Sequence, residues 1–318
     1  MEVLGIVGAL LFFLLILVKS AELVEGSFVF LSRKLHVSEF FTGFVVLSII
    51  TSLPEISISV LSSQELPELS VGNLIGATTV LLTLVIGLSA VKYGKLEFKN
   101  RFQEKEVLMG VGLITFMVIS ILDKYISITE GIALLGGYFI FIAYLNRKFN
   151  QVALKKHANI NIKKLSRLIG KASIGIVLLL ISSSMTVKLA ESLALILSIS
   201  PAVIGVLVLA IGTNLPELTI LAISKKNRDN EALALGNFFG SACVNPGILG
   251  LLAIMAGGVK IDSFIAIIPS TVILLLTLIM FGVATWTGKK VSRTEGFMLT
   301  GLYIALLITE VAIIFGIN

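Results

Sequence analysis

Long apolar runs separated by short polar stretches dominate this chain, and about twenty apolar residues are what a helix needs to cross the hydrocarbon of a bilayer. Ten such runs predict ten transmembrane helices, at 3–22, 38–62, 69–91, 105–122, 129–146, 170–195, 201–224, 231–257, 263–286 and 294–316. Several are longer than a perpendicular crossing requires, which a tilt or a break absorbs. The expected fold is an all-α polytopic membrane protein. The first run follows Met1-Glu2 with no basic stretch before it, so it reads as a retained span and not as a cleaved signal.

Composition strengthens that reading. With 56% hydrophobic residues, 14% charged and a mean hydropathy of +1.04, the chain is too apolar for a soluble domain. The net charge of +6 sits in short loops between apolar runs, which argues for membrane topology and against nucleic-acid binding. Alternate loops hold Arg33 and Lys34; Lys92, Lys95, Lys99, Arg101 and Lys105; the basic residues from Arg147 to Lys171; Lys225, Lys226 and Arg228; and Lys289, Lys290 and Arg293. The opposite loops hold only Lys124 and Lys260, while Lys19 and Lys188 lie within spans. By the positive-inside rule the basic loops face the cytoplasm, both termini lie outside, and the expected location is a prokaryotic plasma (inner) membrane. A lone cysteine, Cys243, and two histidines, His36 and His157, argue against an internal disulfide and against a zinc site of the usual N/S type.

The basic segment 147–169 divides the chain into two blocks of five spans, 1–146 and 170–318, and the blocks resemble each other. Gly43 to Glu55 (GFVVLSIITSLPE) aligns without gaps on Gly205 to Glu217 (GVLVLAIGTNLPE), an offset of 162 residues. A second echo follows at an offset of 164, Gly72-Asn73-Leu74-Ile75-Gly76 against Gly236-Asn237-Phe238-Phe239-Gly240. Five is odd, so the second block enters the membrane with opposite polarity, and inverted repeats of this kind place a substrate site at their interface near the midplane.

Each first motif closes on an acid, Glu55 or Glu217, inside an apolar run. A carboxylate at that depth costs roughly 2.5–3.5 kcal/mol even on the mildest scales, so a matched pair reads as a cation site. Pro54 and Pro216 each withhold a backbone donor from the carbonyl four residues earlier, at Ile50 and Gly212, and so free oxygen beside the acids. Thr51, Ser52, Thr213 and Asn214 add side-chain oxygens at the same places. Two carboxylates with hydroxyl, amide and carbonyl oxygens approach the six to eight ligands that Ca²⁺ prefers. Two negative charges are balanced by one Ca²⁺, two Na⁺ or two protons, which is an exchange rule if only near-neutral sites change sides. The structural alternative for one TSLPE motif alone is a helix kink with a protonated or snorkelling Glu, and its recurrence in the second half weakens that alternative. Gly-Asn pairs alone indicate helix packing, and Asn73 and Asn237 read as side chains bonding exposed backbone. Glu310, eight residues before the C-terminus, reads as interfacial, and Glu65, Glu68, Asp123 and Glu130 as solvated loop acids.

The paired segments resemble the two α-repeats of the calcium/cation antiporter superfamily, closest to prokaryotic Na⁺/Ca²⁺ exchangers. That resemblance implies alternating access around a central site, a short helix pair sliding past the rest, and no cofactor beyond the transported cations Ca²⁺, Na⁺ or H⁺. Glu55 and Glu217 match the shared central carboxylates; Thr51, Ser52, Thr213 and Ser241 match hydroxyls lining flanking Na⁺ sites; Ser48 and Ala210 match main-chain carbonyl ligands. The chain departs from the family pattern inside the site: Ile50 replaces the Gly before Thr-Ser, Ala77 a serine, Leu81 an asparagine, Asn214 a serine, and Asn245 the customary third acid. Leu81 is expected opposite Asn245, with Thr78, Thr79 and Thr83 as nearby oxygens off the matching positions. The expected function is exchange of Ca²⁺ for Na⁺ or H⁺. The alternatives are a monovalent cation/proton antiporter and a non-transporting, cation-sensing scaffold. Inorganic cations and the lipid bilayer are the expected partners.

Overall fold

Apolar sequence in a medium without water leaves backbone polar groups only each other to bond, and almost every described residue is accordingly helical. The computed structural model describes residues 2–34, 44–45, 48–97, 104–149, 162–223, 228–287 and 290–314. Its helices are α1 Glu2–Lys34, α2 Ser48–Thr51, α3 Leu53–Ser62, α4 Pro67–Thr79, α5 Ile86–Tyr93, α6 Glu104–Ile119, α7 Ile128–Phe149, α8 Ile162–Leu197, α9 Pro201–Ile204, α10 Ala210–Thr213, α11 Leu215–Ile223, α12 Arg228–Ala256, α13 Phe264–Thr287 and α14 Arg293–Ile314. Two π-helical turns, Val80–Val85 and Gly205–Leu209, join α4 to α5 and α9 to α10.

Seven helical stretches are long and apolar enough to cross a membrane, Val3–Leu23, Pro67–Tyr93, Ile128–Arg147, Ser166–Leu197, Gly236–Ala256, Phe264–Ala284 and Arg293–Ala312. The chain is therefore an all-α membrane protein. The segments expected at 38–62 and 201–224 are not single helices: each is interrupted, at Ser52 and at Asn214, which leaves the shorter apolar helices Leu53–Ser62 and Pro201–Thr213. Residues 35–43 and 46–47, at the start of the first of these segments, lie outside the described residues. Helix α1 continues well past residue 22; α7 runs to Phe149 and α8 begins at Ile162, so both flanks of the 147–169 segment are helical, while 150–161 lie outside the described residues.

Burial sorts the helices into a centre and a wall. In Pro67–Tyr93 and Gly236–Ala256, 83% of the apolar window is buried, against 28% for Val3–Leu23 and 22% for Ser166–Leu197. The wall presents Leu4, Phe12, Ile140, Ile174, Trp286 and Ile308 outward, as a lipid-facing surface should. Helix α1 packs most extensively on α8, α12 on α7, α14 on α5, and α13 on α6 and α4. Two short antiparallel strand pairs stitch the halves: β1 Lys95–Glu97 with β4 Lys290–Ser292, and β2 Tyr125–Ile126 with β3 Val259–Lys260. Because α6 separates β1 from β2 along the chain, the two pairs sit at opposite ends of the bundle.

Two glycines of the repeated Gly-Asn motif set how closely the central helices cross. A methyl group on Gly76 would come within 2.8 Å of both Val206 Cα and Ala210 Cβ, and one on Gly240 would collide with the Ser48 hydroxyl and the Phe44 carbonyl. Each half thus uses its second motif to admit the first motif of the other half.

Candidate cation site

The two helix breaks are conformational copies. Ser52 has φ −85° and ψ 7°, and Asn214 has φ −89° and ψ 9°, both in the sparsely populated bridge region. Each break is followed by Leu-Pro-Glu. Pro54 occupies the opening turn of α3, where its missing N–H costs little, and Pro216 stands at the same position of α11. The prolines therefore start new helices and do not sit inside continuing ones, as the sequence reading supposed. A carboxylate in a helix's first turn, as Glu55 and Glu217 are, also lies at the positive end of the helix dipole.

The structure buries every side chain expected at the site: Ser48, Thr51, Ser52, Glu55, Thr213, Asn214, Glu217, Ser241 and Asn245 are each at most 3% exposed, and Ala210 is fully buried. Several meet across the halves. Thr51 Oγ1 lies 3.0 Å from Ser241 Oγ, and the Ser48 hydroxyl donates to the Asn237 carbonyl at 3.3 Å. The Thr213 hydroxyl lies near the Glu55 carboxylate, but neither Thr213 Oγ1 nor Glu55 Oε2 closes a hydrogen bond. A break from one half therefore stands beside the acid of the other.

The expected carbonyl ligands are occupied by local bonds. Ser48 O accepts from the Ser52 N–H at 3.0 Å and from Thr51 Oγ1 at 3.3 Å, and Ala210 O accepts from Asn214 Nδ2 at 2.7 Å. Asn214 thus stabilises the second break with its own side chain. Among the described residues no group of three or more His, Cys, Asp or Glu side chains is placed to hold a metal ion.

On the flank where the sequence reading finds Asn245 in place of an acid, Asn245 Nδ2 donates to Thr78 Oγ1 at 2.9 Å, and Thr78 donates in turn to Leu74 O at 2.7 Å. The first-half side chain bonded to Asn245 is therefore Thr78, three residues before Leu81, which is buried in the π-turn. The Thr83 hydroxyl is spent on Thr79 O in its own helix. Thr78 was not among the site residues read from the sequence, and the adjoining threonines were the one available signal. Asn73 and Asn237 depart from expectation as well: both are buried, and neither amide oxygen nor nitrogen of either finds a hydrogen-bond partner among the described residues. Glu310, read as a chain-end acid, is fully buried and bonded to Ser270 of α13. Three of the acids read as solvated are engaged: Glu130 Oε2 accepts from Ser127 N and Oγ at 2.8 and 2.7 Å, Glu68 Oε1 accepts from Asp262 N and from Ser263 N, and Asp123 Oδ1 accepts from Tyr125 N at 3.1 Å.

Broken helices meeting at buried acids in an all-helical membrane protein define the class of cation-transporting exchangers. Comparison with known proteins gives the family. The sequence matches the family described as sodium/calcium exchanger protein over residues 5–146 and 169–311, and the chain belongs to it. It is 31% identical to an uncharacterized membrane protein of Methanocaldococcus jannaschii over 283 residues, 86% of this chain and 87% of that protein. It is 29% identical to the putative antiporter CaxA of Alkalimonas amylolytica, over 92% of this chain and 94% of that one. It is 26% identical to the sodium/calcium exchanger MaX1 of Methanosarcina acetivorans, over 93% and 97%. Among solved structures, the sodium-calcium exchanger NCX_Mj soaked with 2.5 mM Na⁺ and 10 mM Sr²⁺ superposes with a TM-score of 0.68 at 26% identity, covering 96% of this chain and 99% of that chain. The protein is a cation antiporter of the exchanger type, and its family is one of transporters.

Proposed function

We propose that the protein exchanges Ca²⁺ for Na⁺ or H⁺ by alternating access through a central site built on Glu55 and Glu217. The observation that carries this reading is the juxtaposition of the halves around the buried acids, with Thr51 bonded to Ser241 and Ser48 to the Asn237 carbonyl. Thr51, Ser52, Thr213, Asn214, Ser241 and Asn245 supply the surrounding side-chain oxygens. Ser48 O and Ala210 O join the ligand set when their local bonds open. Two acids balance one Ca²⁺, two Na⁺ or two protons, so each loaded state is close to neutral and able to change sides.

Ten membrane crossings in two inverted five-helix repeats are the architecture that accounts for the packing. Its pairings exchange between halves: α5 of the first half packs on α14, the last helix, as α12 of the second half packs on α7 of the first, and β1 with β4 mirrors β3 with β2. The pair α1 and α8, packed chiefly on each other, is the unit that slides. The orientation places the basic loops in the cytoplasm and both termini outside a prokaryotic plasma membrane.

A second reading, monovalent cation/proton antiport, is favoured by the flank that lacks a third acid, where Asn245 bonds Thr78. Reconstituted vesicles decide. Radioactive Ca²⁺ uptake that responds to an imposed Na⁺ or pH gradient, and that Glu55→Gln and Glu217→Gln abolish, supports Ca²⁺ exchange. Gradient-driven movement of monovalent cations alone supports the second reading, and no gradient-driven flux of any ion leaves a sensing scaffold.

A further inference from the structure

A second buried acid lies away from the central site, between the last two helices. Glu310, four residues before the end of α14, is fully buried, and its Oε1 accepts a hydrogen bond from Ser270 Oγ at 3.1 Å. Ser270 is itself fully buried, six residues into α13 and directly after the helix-interior Pro269. Glu310 Oε2 is buried with no hydrogen-bond partner.

Among the described residues no counter-charge reaches the pair. Helix α13 carries no titratable side chain. On α14 the other titratable groups are Arg293 and Glu295, at the far end, and Tyr303, about two turns away with its hydroxyl buried and unbonded. From α4, Glu68 is directed at Asp262 N and Ser263 N in the turn before α13. From α5, Lys92 is spent on the Leu221 and Ala222 carbonyls. From α6, Lys105 is exposed and Glu106 accepts from the Tyr144 hydroxyl at 2.8 Å. Lys290 of β4 is exposed at the opposite end of α14.

A carboxylate in such surroundings has a single donor and no cation, the least tolerable state for a charge out of water. One carboxyl and one hydroxyl also fall far short of the oxygen shell a metal cation requires. A proton requires one lone pair. We propose that Glu310 and Ser270 form a proton-binding site, separate from the central cation site, with Glu310 held as the neutral acid and its proton on Oε2. Binding makes one O–H bond on the carboxylate and breaks none, while Ser270 continues to donate to Oε1. Loss of the proton leaves a bare charge between α13 and α14, which draws water into their outer ends in the orientation given above and weakens the packing of α13 on α4. The site thereby makes the exchanger sensitive to alkaline pH on that side.

The test uses the full chain in lipid vesicles, with infrared spectroscopy of carboxyl groups in a Glu55→Gln/Glu217→Gln background, so its outcome does not depend on the central site or on transport. The expected result is a protonated-carboxyl stretching band at neutral pH that disappears in Glu310→Gln and shifts in frequency in Ser270→Ala. A neutral-pH protonated-carboxyl band that Glu310→Gln leaves unchanged overturns the assignment. If Glu310→Gln does not fold, the Ser270→Ala band decides alone: a shift supports the site and an unmoved spectrum refutes it. In the otherwise native chain, Glu310→Gln should transport normally at neutral pH and lose the alkaline limb of the activity profile; an identical alkaline limb refutes the regulatory half of the proposal.

Discussion

Restoring an acid at residue 245 is the sharpest test of how charge is balanced in this site. Asn245 stands one helical turn, about 6 Å of rise, beyond Ser241, and Ser241 meets Thr51 one turn before Glu55. An aspartate at 245 thus adds its charge on the face of α12 that lines the paired breaks. It also loses the Nδ2 donor that now holds Thr78, whose own hydrogen is committed to Leu74 O, so two acceptors are left facing each other. The lost bond is worth about 1 kcal/mol. A new charge at membrane depth costs about 2.5–3.5 kcal/mol if uncompensated. Without a bound cation, Asn245→Asp should therefore be destabilised by about 3.5–4.5 kcal/mol, while a divalent cation offsets most of the charge term. The assay is the unfolding midpoint of the purified protein in detergent, with and without Ca²⁺. The variant should unfold earlier than its parent in cation-free buffer and show the larger Ca²⁺-dependent rise. Equal stability in cation-free buffer, or a Ca²⁺ response no larger than the parent's, refutes the placement of residue 245 beside the cation path.

Gly76→Ala should cost about 1–3 kcal/mol of stability, because its methyl must fit where Val206 and Ala210 already stand at 2.8 Å, and a wild-type unfolding midpoint would show that the crossing yields. A double-mutant cycle of Thr51→Ala and Ser241→Ala should return a coupling of about 0.5–1.5 kcal/mol from thermal or denaturant unfolding; additive effects would mean that their 3.0 Å contact carries no energy. Lys92→Met keeps the apolar stem and removes the ammonium that caps the Leu221 and Ala222 carbonyls, so backbone amides of α11 should exchange hydrogen faster by roughly tenfold, as expected for about 1.5 kcal/mol, and unchanged exchange would remove Lys92 from that role.

Seven of the crossings and the burial of the paired acids were legible because both announce themselves locally: hydropathy marks a long apolar helix, and a Glu after Leu-Pro in an apolar run has few innocent explanations. Side-chain pairing was not. The polar partner of Asn245 is Thr78 and not a residue at the Leu81 position, and the turn that follows Thr79 is a π-turn, whose extra residue rotates the chain beyond it by about 100° relative to a regular helix. Hydropathy contains no signal for that insertion. Glu310 misled for a different reason, since distance from the C-terminus is measured along the chain, whereas burial depends on what α13 packs over it. The prolines were assigned to a helix interior because the apolar run is continuous, and only backbone angles at Ser52 and Asn214 reveal that a new helix begins there.

The strand pairs Leu96 with Val291 and Ile126 with Val259 fasten the bundle at both of its rims. A frame pinned top and bottom supplies a fixed ruler: if the proposed sliding of α1 and α8 is right, spectroscopic labels set beside those strands should keep a constant separation while labels on α1 and α8 shift against them.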